Sequence, residues 1–195
     1  MIALKDRCVR RSAALAVLVS VALGAGSTLA AEDNPRVRLQ TTLGPIEVEL
    51  FEAEAPQTVA NFLKLVDQDF YDGLIFHRVI AGFMVQAGGY DAGMNYREAP
   101  NTVPNESDNG LKNTVGTLAM ARLSDPDSAG AQFYINVEDN EHLNARPGQP
   151  GYTVFGRVVE GMDVVTEIEL AETTRKAGMP DVPKVPIVIE DIERL

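Results

Sequence analysis

Cysteine is almost absent from this sequence, which has one cysteine, two histidines and no tryptophan in 195 residues. A single cysteine cannot form a disulfide within the chain, so a disulfide framework is excluded. Two histidines leave little for a histidine-rich metal site, and we expect neither a metal nor a cofactor. Basic residues are also the minority, because 17 Lys and Arg stand against 28 Asp and Glu, for a formal net charge of -11. Affinity for nucleic acid comes mainly from Lys and Arg at the phosphates, so this balance argues against a nucleic-acid partner.

Glycine and proline are not in excess, and apolar residues are plentiful. The 16 Gly and 11 Pro are close to average usage, which is not typical of collagen-like or disordered chains. Hydrophobic residues make up 45% of the chain, which is enough to fill a core. At this length, we expect one domain of ordinary size.

The first 30 residues have the three parts of a secretory signal peptide. Residues 1–11 hold four basic side chains against one acid, residues 12–25 carry no charge, and small residues follow. A basic region, a short apolar stretch and a small-x-small site are typical of a cleavable export signal. We predict that residues 1–30 are this signal, cleaved after Ala30 with Thr28 and Ala30 at the small positions, and that residues 31–195 form the functional domain.

Two alternatives remain open for this segment. It could stay as an uncleaved anchor, although its apolar run is shorter than the roughly 18 residues that a membrane-spanning helix needs. Arg10 and Arg11 leave the choice between general and twin-arginine export open. Cleavage would remove the only cysteine, Cys8, and leave 13 basic against 27 acidic residues. We expect a monomer in the periplasm, with secretion left open, that has no membrane attachment after cleavage.

Hydrophobic periodicity predicts a hairpin and a helix near the start of the domain. The runs 37–41 and 46–50 alternate apolar and polar side chains across a Gly-Pro turn, as paired strands do. Pro56 suits a first helical position, and the apolar residues from Val59 to Val66 share one helical face.

Short apolar runs separated by turns dominate the rest of the chain, together with a weaker helix at 161–168. The strand-length runs are 74–79, 83–87, 117–121, 132–137, 153–159 and 187–192. Residues 88–116 and 138–152 read as long loops, which in a compact domain are usually functional. Many short strands and two helices without strand–helix alternation predict a β-sandwich or barrel covered by helices.

Three segments and one downstream run carry the most specific pattern. Residues 76–89 read FHRVIAGFMVQAGG, residues 116–122 GTLAMAR, residues 130–135 GAQFYI, and residues 152–165 YTVFGRVVEGMDVV. Together they resemble the cyclophilins, the cyclosporin-type peptidyl-prolyl cis/trans isomerases, over roughly residues 36–195. The exported bacterial members are the most similar. The resemblance implies a mainly β fold: a closed eight-stranded antiparallel β-barrel capped by two α-helices.

The resemblance also implies an activity, the cis/trans isomerisation of X–Pro bonds in unfolded or newly exported polypeptides. Rotation about this bond faces a barrier of about 20 kcal/mol, because the amide has partial double-bond character. No covalent bond is broken, so the reaction needs neither a nucleophile nor a metal. An apolar pocket for the proline ring and a cationic donor beside the prolyl nitrogen suit it.

The resemblance further assigns the site. Arg78 is implied as the catalytic cation, and Gln86 as the catalytic residue that orients it and the substrate. The implied substrate-binding residues are Phe83, Met84, Ala121, Arg122, Gln132, Tyr134, His142, Leu143 and Tyr152. His77 is expected to be structural. Because neighbours on a strand point to opposite faces, Phe83 and Met84 can share a pocket only if a bend separates them, which Gly82 permits.

Many family members have His where this sequence has Tyr152, and three further positions depart from the family pattern. Ala81 replaces the usual Pro, which should loosen one turn. Tyr134 replaces the usual Phe, and its hydroxyl must find a partner or water. His142 replaces a large apolar aromatic residue that matters to cyclosporin in the family, so we expect weak cyclosporin binding.

Two other functions fit parts of the pattern. The same fold could hold Pro-containing segments as a non-catalytic chaperone or adaptor. Tyr134 and His142 favour this alternative, whereas intact Arg78, Gln86 and Gln132 argue against it. A small-ligand barrel of the lipocalin type would need a hollow interior, whereas eight strands with aliphatic inner faces more often fill their own barrel.

Overall fold

The structure, a computed structural model, describes residues 34–195. The predicted signal peptide, its cleavage site after Ala30 and Cys8 lie outside the described residues. The elements are, in chain order, β1 (Arg36–Thr41), β2 (Gly44–Leu50), α1 (Pro56–Val66), β3 (Arg78–Ile80), β4 (Met84–Ala87), β5 (Thr117–Met120), β6 (Phe133–Asn136), β7 (Val154–Glu160), α2 (Met162–Glu169), β8 (Thr173–Lys176), β9 (Met179–Pro183) and β10 (Ile189–Arg194). Two single-turn 3-10 helices lie at Pro126–Ser128 and Glu141–Leu143.

The predicted hairpin and both predicted helices are confirmed. In β1 and β2 the apolar residues face the core, and the register pairs Val37 with Val48. Helix α1 begins at Pro56 and buries its apolar face against the sheet. The Phe62 ring lies at its centre, with its centroid 5.6 Å from that of Phe133 and 5.3 Å from that of Phe155. This aromatic contact fixes the helix over the inner face of the sheet.

The large sheet has eight strands, in the order β10-β1-β2-β7-β5-β6-β4-β3. Each neighbouring pair is antiparallel, and the sheet is strongly curled. The prediction of a closed barrel is wrong, because the edge strands β3 and β10 do not pair and the sheet is an open half-barrel. The three-residue β3 is too short to continue the ladder. The segment before β3 bonds the start of β10 and the chain before it, through Gly73 N–H to Ile189 O at 2.9 Å and Phe76 N–H to Ile187 O at 3.0 Å, but these bonds form an isolated bridge and not a ladder between β3 and β10.

A second, two-stranded sheet of β8 and β9 was not predicted. Strand β8 (TTRK) is polar and partly exposed, and β9 (MPDVP) contains two prolines, so neither has the apolar alternation that marks the other strands. Ala177 and Gly178 turn the chain with positive φ angles of 49° and 84°, the conformation that tight hairpin turns prefer. Of the helices that the structure describes, none combines the length and apolar character needed to cross a bilayer.

A carboxylate from a distant loop caps helix α1. The helix has no side-chain cap of its own, since Ala55 stands at the N-cap position. Glu106 fills this role: its Oε1 accepts from Gln57 N–H at 3.1 Å, and its Oε2 accepts from Thr58 N–H at 2.9 Å and from the Thr58 hydroxyl at 2.7 Å. A negative charge at this end also complements the helix dipole. Glu106 therefore ties the loop over 88–116 to the helix that covers the core.

Replacing Glu106 with alanine should lower the free energy of unfolding by about 1–2 kcal/mol, because two backbone N–H groups and the buried Thr58 hydroxyl lose their acceptor. Urea denaturation measures the change. The matched control is Asp108→Ala, an exposed acid in the same loop, which should stay within about 0.5 kcal/mol of wild type. Equal losses in the two variants would show that Glu106 is not a cap.

Candidate active site

The site lies on the face of the sheet opposite the main core. Successive side chains of a strand alternate between faces, so Val85 and Ala87 enter the core while Met84 and Gln86 lie on the other face. Strand register places Gln86 between Arg78 of β3 and Tyr134 of β6. Three short strands thus bring together, side by side, residues that lie far apart in the sequence.

A hollow of about 150 Å³ lies over this row and is called here the small hollow. It is lined by Arg78, Phe83, Met84, Gln86, Ala121, Arg122, Tyr134, Leu143 and Tyr152. All nine are predicted site residues. The two others border it: Gln132 accepts a hydrogen bond from Gln86, and the exposed His142 ring stacks on Phe83, with 5.6 Å between the centroids. The predicted residues therefore lie together in one place.

Phe83 and Met84 both reach the small hollow because only Met84 belongs to the strand. Phe83 is the last residue of the turn that precedes β4, so the alternation of the strand does not apply to it. Gly82 makes this turn with a φ of 67°, which residues with a side chain rarely adopt. The bend that the sequence permits at Gly82 is present.

Arg78 is a half-buried cation surrounded by amide and apolar groups. Its Nη1 donates to Gln86 Oε1 at 3.5 Å, and its guanidinium carbon lies 5.9 Å from the centre of the Phe83 ring. The Gln86 side chain is held in turn, because its Nε2 donates to Gln132 Oε1 at 2.9 Å. Within residues 34–195, no carboxylate lies at ion-pair distance from Arg78. The charge of this guanidinium is thus oriented but not neutralised.

The Tyr134 hydroxyl has a partner outside the small hollow. It donates to Asn113 Oδ1 at 2.8 Å, and burial raises its pKa, so that the group stays protonated and remains a donor. Asn136 Nδ2 donates to the same oxygen at 3.3 Å. Sequence analysis did not find Asn113. Two features of the sequence pointed toward such a residue: the Tyr134 hydroxyl needs a hydrogen-bond partner, and the loop at 88–116 is long.

The Arg122 side chain fastens the loop that precedes β7. Its Nε donates to Gly151 O at 3.1 Å and its Nη2 to Pro150 O at 2.9 Å, while the guanidinium carbon lies 4.7 Å from the centre of the Tyr152 ring. Three hydrogen bonds and a stacked ring use the planar donor fork that lysine lacks. Arg122 therefore sets the position of Tyr152 on the rim.

A larger hollow of about 360 Å³ adjoins the first and shares Gln86, Ala121 and Arg122 with it. Its other walls include residues that sequence analysis missed: Tyr96, Arg97, Glu98, Ala99, Thr102, Leu123, Ser128 and Gly130. Most of them belong to the loop at 88–116, whose length indicated a function without pointing to particular residues. Gly89 lies against the Gln132 side chain, where an added Cβ would come within 2.6 Å of Gln132 Cδ.

His77 precedes Arg78 but does not line either hollow. Its ring is almost fully buried and lies 4.9 Å from that of Tyr90. Burial lowers the pKa of His77 to about 4, so the ring is neutral near pH 7. It therefore adds no second charge beside Arg78.

Comparisons with known proteins agree with this geometry. Residues 36–194 match the family described as cyclophilin type peptidyl-prolyl cis-trans isomerase/CLD. A peptidyl-prolyl cis-trans isomerase of Acinetobacter baylyi is 48% identical over 160 residues, which cover 82% of this chain and 85% of that protein. Peptidyl-prolyl cis-trans isomerase B of Escherichia coli is 48% identical over 160 residues, which cover 80% of this chain and 97% of that protein.

A solved structure is also similar. It is the crystal structure of a Cryptosporidium parvum cyclophilin type peptidyl-prolyl cis-trans isomerase in the presence of the dipeptide Ala-Pro. The match has a TM-score of 0.67 at 28% identity and covers 80% of this chain and 96% of that one. Since the family match spans nearly all described residues and relatives approach half identity, the chain belongs to the cyclophilin-type peptidyl-prolyl cis-trans isomerases.

Proposed function

We propose that this isomerase holds the proline ring of an X–Pro segment in the small hollow and accelerates rotation of the bond with the Arg78 guanidinium. The observation that carries the proposal is a guanidinium with no carboxylate partner among residues 34–195, at the wall of a hollow that also holds the apolar side chains of Phe83, Met84 and Leu143. Its substrates are proline-containing segments of unfolded or newly exported polypeptides. The Ala-Pro dipeptide used with the Cryptosporidium protein supports this class of ligand.

The electrostatics favour the twisted transition state over the planar substrate. As the amide twists, its conjugation is lost and the nitrogen lone pair becomes a hydrogen-bond acceptor. A charged donor fixed beside it gains an interaction that the planar amide does not offer, and this difference lowers the barrier. Because Arg78 forms no ion pair within residues 34–195, its donors need not leave a carboxylate to make that bond.

Gln86 and Gln132 are proposed to hold the guanidinium and the peptide main chain. The Gln86 amide lies between Arg78 and Gln132, so both of its polar ends have a fixed direction. Ala121 N–H already donates to Gln132 O at 2.9 Å, which leaves the Ala121 carbonyl as the group of this residue that would receive a substrate N–H. An extended peptide would then pass the end of β5 at Ala121, with its proline over Met84.

The first test is Arg78→Ala, assayed as the rate of cis/trans exchange of a short X–Pro peptide. We expect kcat/KM to fall by about 10²- to 10³-fold, as when one preorganised donor to a transition state is removed. Arg78→Lys keeps the charge but loses the planar fork, and should lie between wild type and R78A.

The matched control for this test is Arg175→Ala, an exposed arginine of β8 remote from both hollows. It should retain wild-type kcat/KM. Circular dichroism and the unfolding midpoint show whether each variant is folded. An R78A protein that is folded and fully active would refute the role of Arg78, and a wild-type protein that gives no acceleration would refute catalysis itself.

We propose weak cyclosporin binding because of the residue at 142. An exposed imidazole stacked on Phe83 offers less apolar area at the rim than the aromatic residue usual in the family. His142→Trp should therefore tighten cyclosporin binding by about tenfold, the equivalent of roughly 1.4 kcal/mol. The inhibition constant of cyclosporin is measured for both proteins in the peptide isomerisation assay. A nanomolar inhibition constant for the wild type would contradict the proposal.

We also propose that residues 1–30 direct export to the periplasm and are removed there. The basic start, the uncharged stretch and the small residues before Ala31 support this. Expression of the full chain in a bacterial host should place the protein in the periplasmic fraction, with an intact mass that starts at Ala31. A protein that keeps its first 30 residues in the membrane fraction would favour the uncleaved anchor.

A further inference from the structure

Phe83 is the last residue of a turn over residues 80–83. The hydrogen bond that closes this turn does not by itself fix the orientation of the central peptide group. Phe83 N–H donates to Ile80 O at 3.1 Å and closes a four-residue turn with Ala81 and Gly82 at its centre. Gly82 has a φ of 67°, while Ala81 is not among the residues with positive φ, which is the pattern of a type II turn. Types I and II differ in the orientation of the peptide group between the two central residues.

That central peptide group has a partner elsewhere in the fold. Its N–H, on Gly82, donates to Glu169 Oε1 at 2.8 Å, across a separation of 87 residues. A carboxylate on this side accepts the N–H only in the orientation that the type II turn gives it. Glu169 therefore selects this turn over its flipped form.

The position of Glu169 on α2 is not explained by the helix. It is the last residue of α2, where the helix dipole disfavours a negative charge, and the last turn holds no basic residue to offset it. Among the residues that the structure describes, Glu169 also forms no ion pair. Its one side-chain hydrogen bond in this part of the chain is to the turn.

The 80–83 turn positions Phe83, which forms one wall of the small hollow. The Phe83 carbonyl is held by Asn140 Nδ2 at 2.9 Å and by Val137 N–H at 3.2 Å, whereas its amide side is held by the turn. The Phe83 ring stacks on His142 and faces the Arg78 guanidinium. A flip of the 81–82 peptide would move the chain directly before Phe83, and the ring with it.

We propose that Glu169 is a positioning residue, whose carboxylate holds the 80–83 turn so that Phe83 stays at the wall of the proline site. This rests on the proposed function, in which Phe83 contacts the proline ring. The contact from Glu169 matters in this chain because Ala81 stands at the first central position of the turn. A proline at that position would fix φ at a value that suits the turn, and alanine does not. A contact made in both the planar and the twisted substrate should affect KM and leave kcat nearly unchanged.

The test compares Glu169→Ala with Glu169→Gln and with Glu167→Ala, an exposed acid of the same helix. We expect E169A to raise KM by about 2- to 10-fold, the equivalent of one hydrogen bond, with kcat near wild type. Amide exchange at Gly82 should become faster by a similar factor. E169Q keeps an acceptor oxygen and should recover most of the KM, and E167A should match wild type in both measurements.

A second-site change tests the route through the turn. Proline at 81 is compatible with the first central position of a type II turn, so Ala81→Pro in the E169A background should lower KM again. An unchanged KM in E169A, an E169Q variant as impaired as E169A, or no recovery with A81P would each overturn the proposal. Amide exchange at Gly82 reports on the turn even in a protein without activity, so it tests this inference alone. The kcat of R78A tests the proposed function alone. The two measurements therefore distinguish a failure of one from a failure of the other.

Discussion

The alternation of side chains on the short strands β4, β5 and β6 is the constraint on which the site depends. Strands β4 and β6 face the core with one side and the small hollow with the other, and Ala119 of β5 packs with Met84 and Tyr134. Val85 and Ala87 pack inside, and this packing fixes where Met84 and Gln86 lie. A slip of one residue in the register would send Gln86 into the core and Val85 into the hollow. The aromatic core under α1 thus also holds the geometry of the small hollow.

The distribution of charge leaves the Arg78 guanidinium without a carboxylate neighbour in residues 34–195, although the chain is acidic. Ion pairs in residues 34–195 join Arg38, Arg157, Lys184 and Arg194 to carboxylates outside the hollows. The Arg122 guanidinium donates its hydrogen bonds to three backbone carbonyls. Arg78 donates to the Gln86 amide and lies near the Met84 sulfur, and neither group cancels its charge. The excess of acids therefore stays apart from the guanidinium that we propose acts on the substrate.

Periodicity and resemblance predicted the local parts of this molecule, and long-range pairing accounts for what they missed. The first hairpin and α1 follow from residues close together in sequence. Closure of the sheet does not, because it depends on whether the three-residue β3 meets β10 from the other end of the chain. Glu106 at the start of α1 and Asn113 beside Tyr134 were missed for the same reason. Each bonds a residue at least 21 positions away, and no periodic pattern marks such a pair. The family motifs brought the right residues to the small hollow, but they contain no information about these supporting partners.

The three departures from the family pattern each meet a specific contact, and this changes how they should be interpreted. Taken from the sequence, Tyr134 and His142 favour a protein that binds without catalysis, and Ala81 suggests a looser turn. In the structure the Tyr134 hydroxyl is bound by Asn113 outside the hollow, the His142 ring stacks on Phe83, and the turn after Ala81 is held by Glu169. A chain that had lost its function would have no reason to retain such matched partners, since local choices that agree with one another are the mark of a specified structure. The departures are thus better understood as substitutions accommodated by their surroundings, with Arg78, Gln86 and the wall of the hollow kept in place around them.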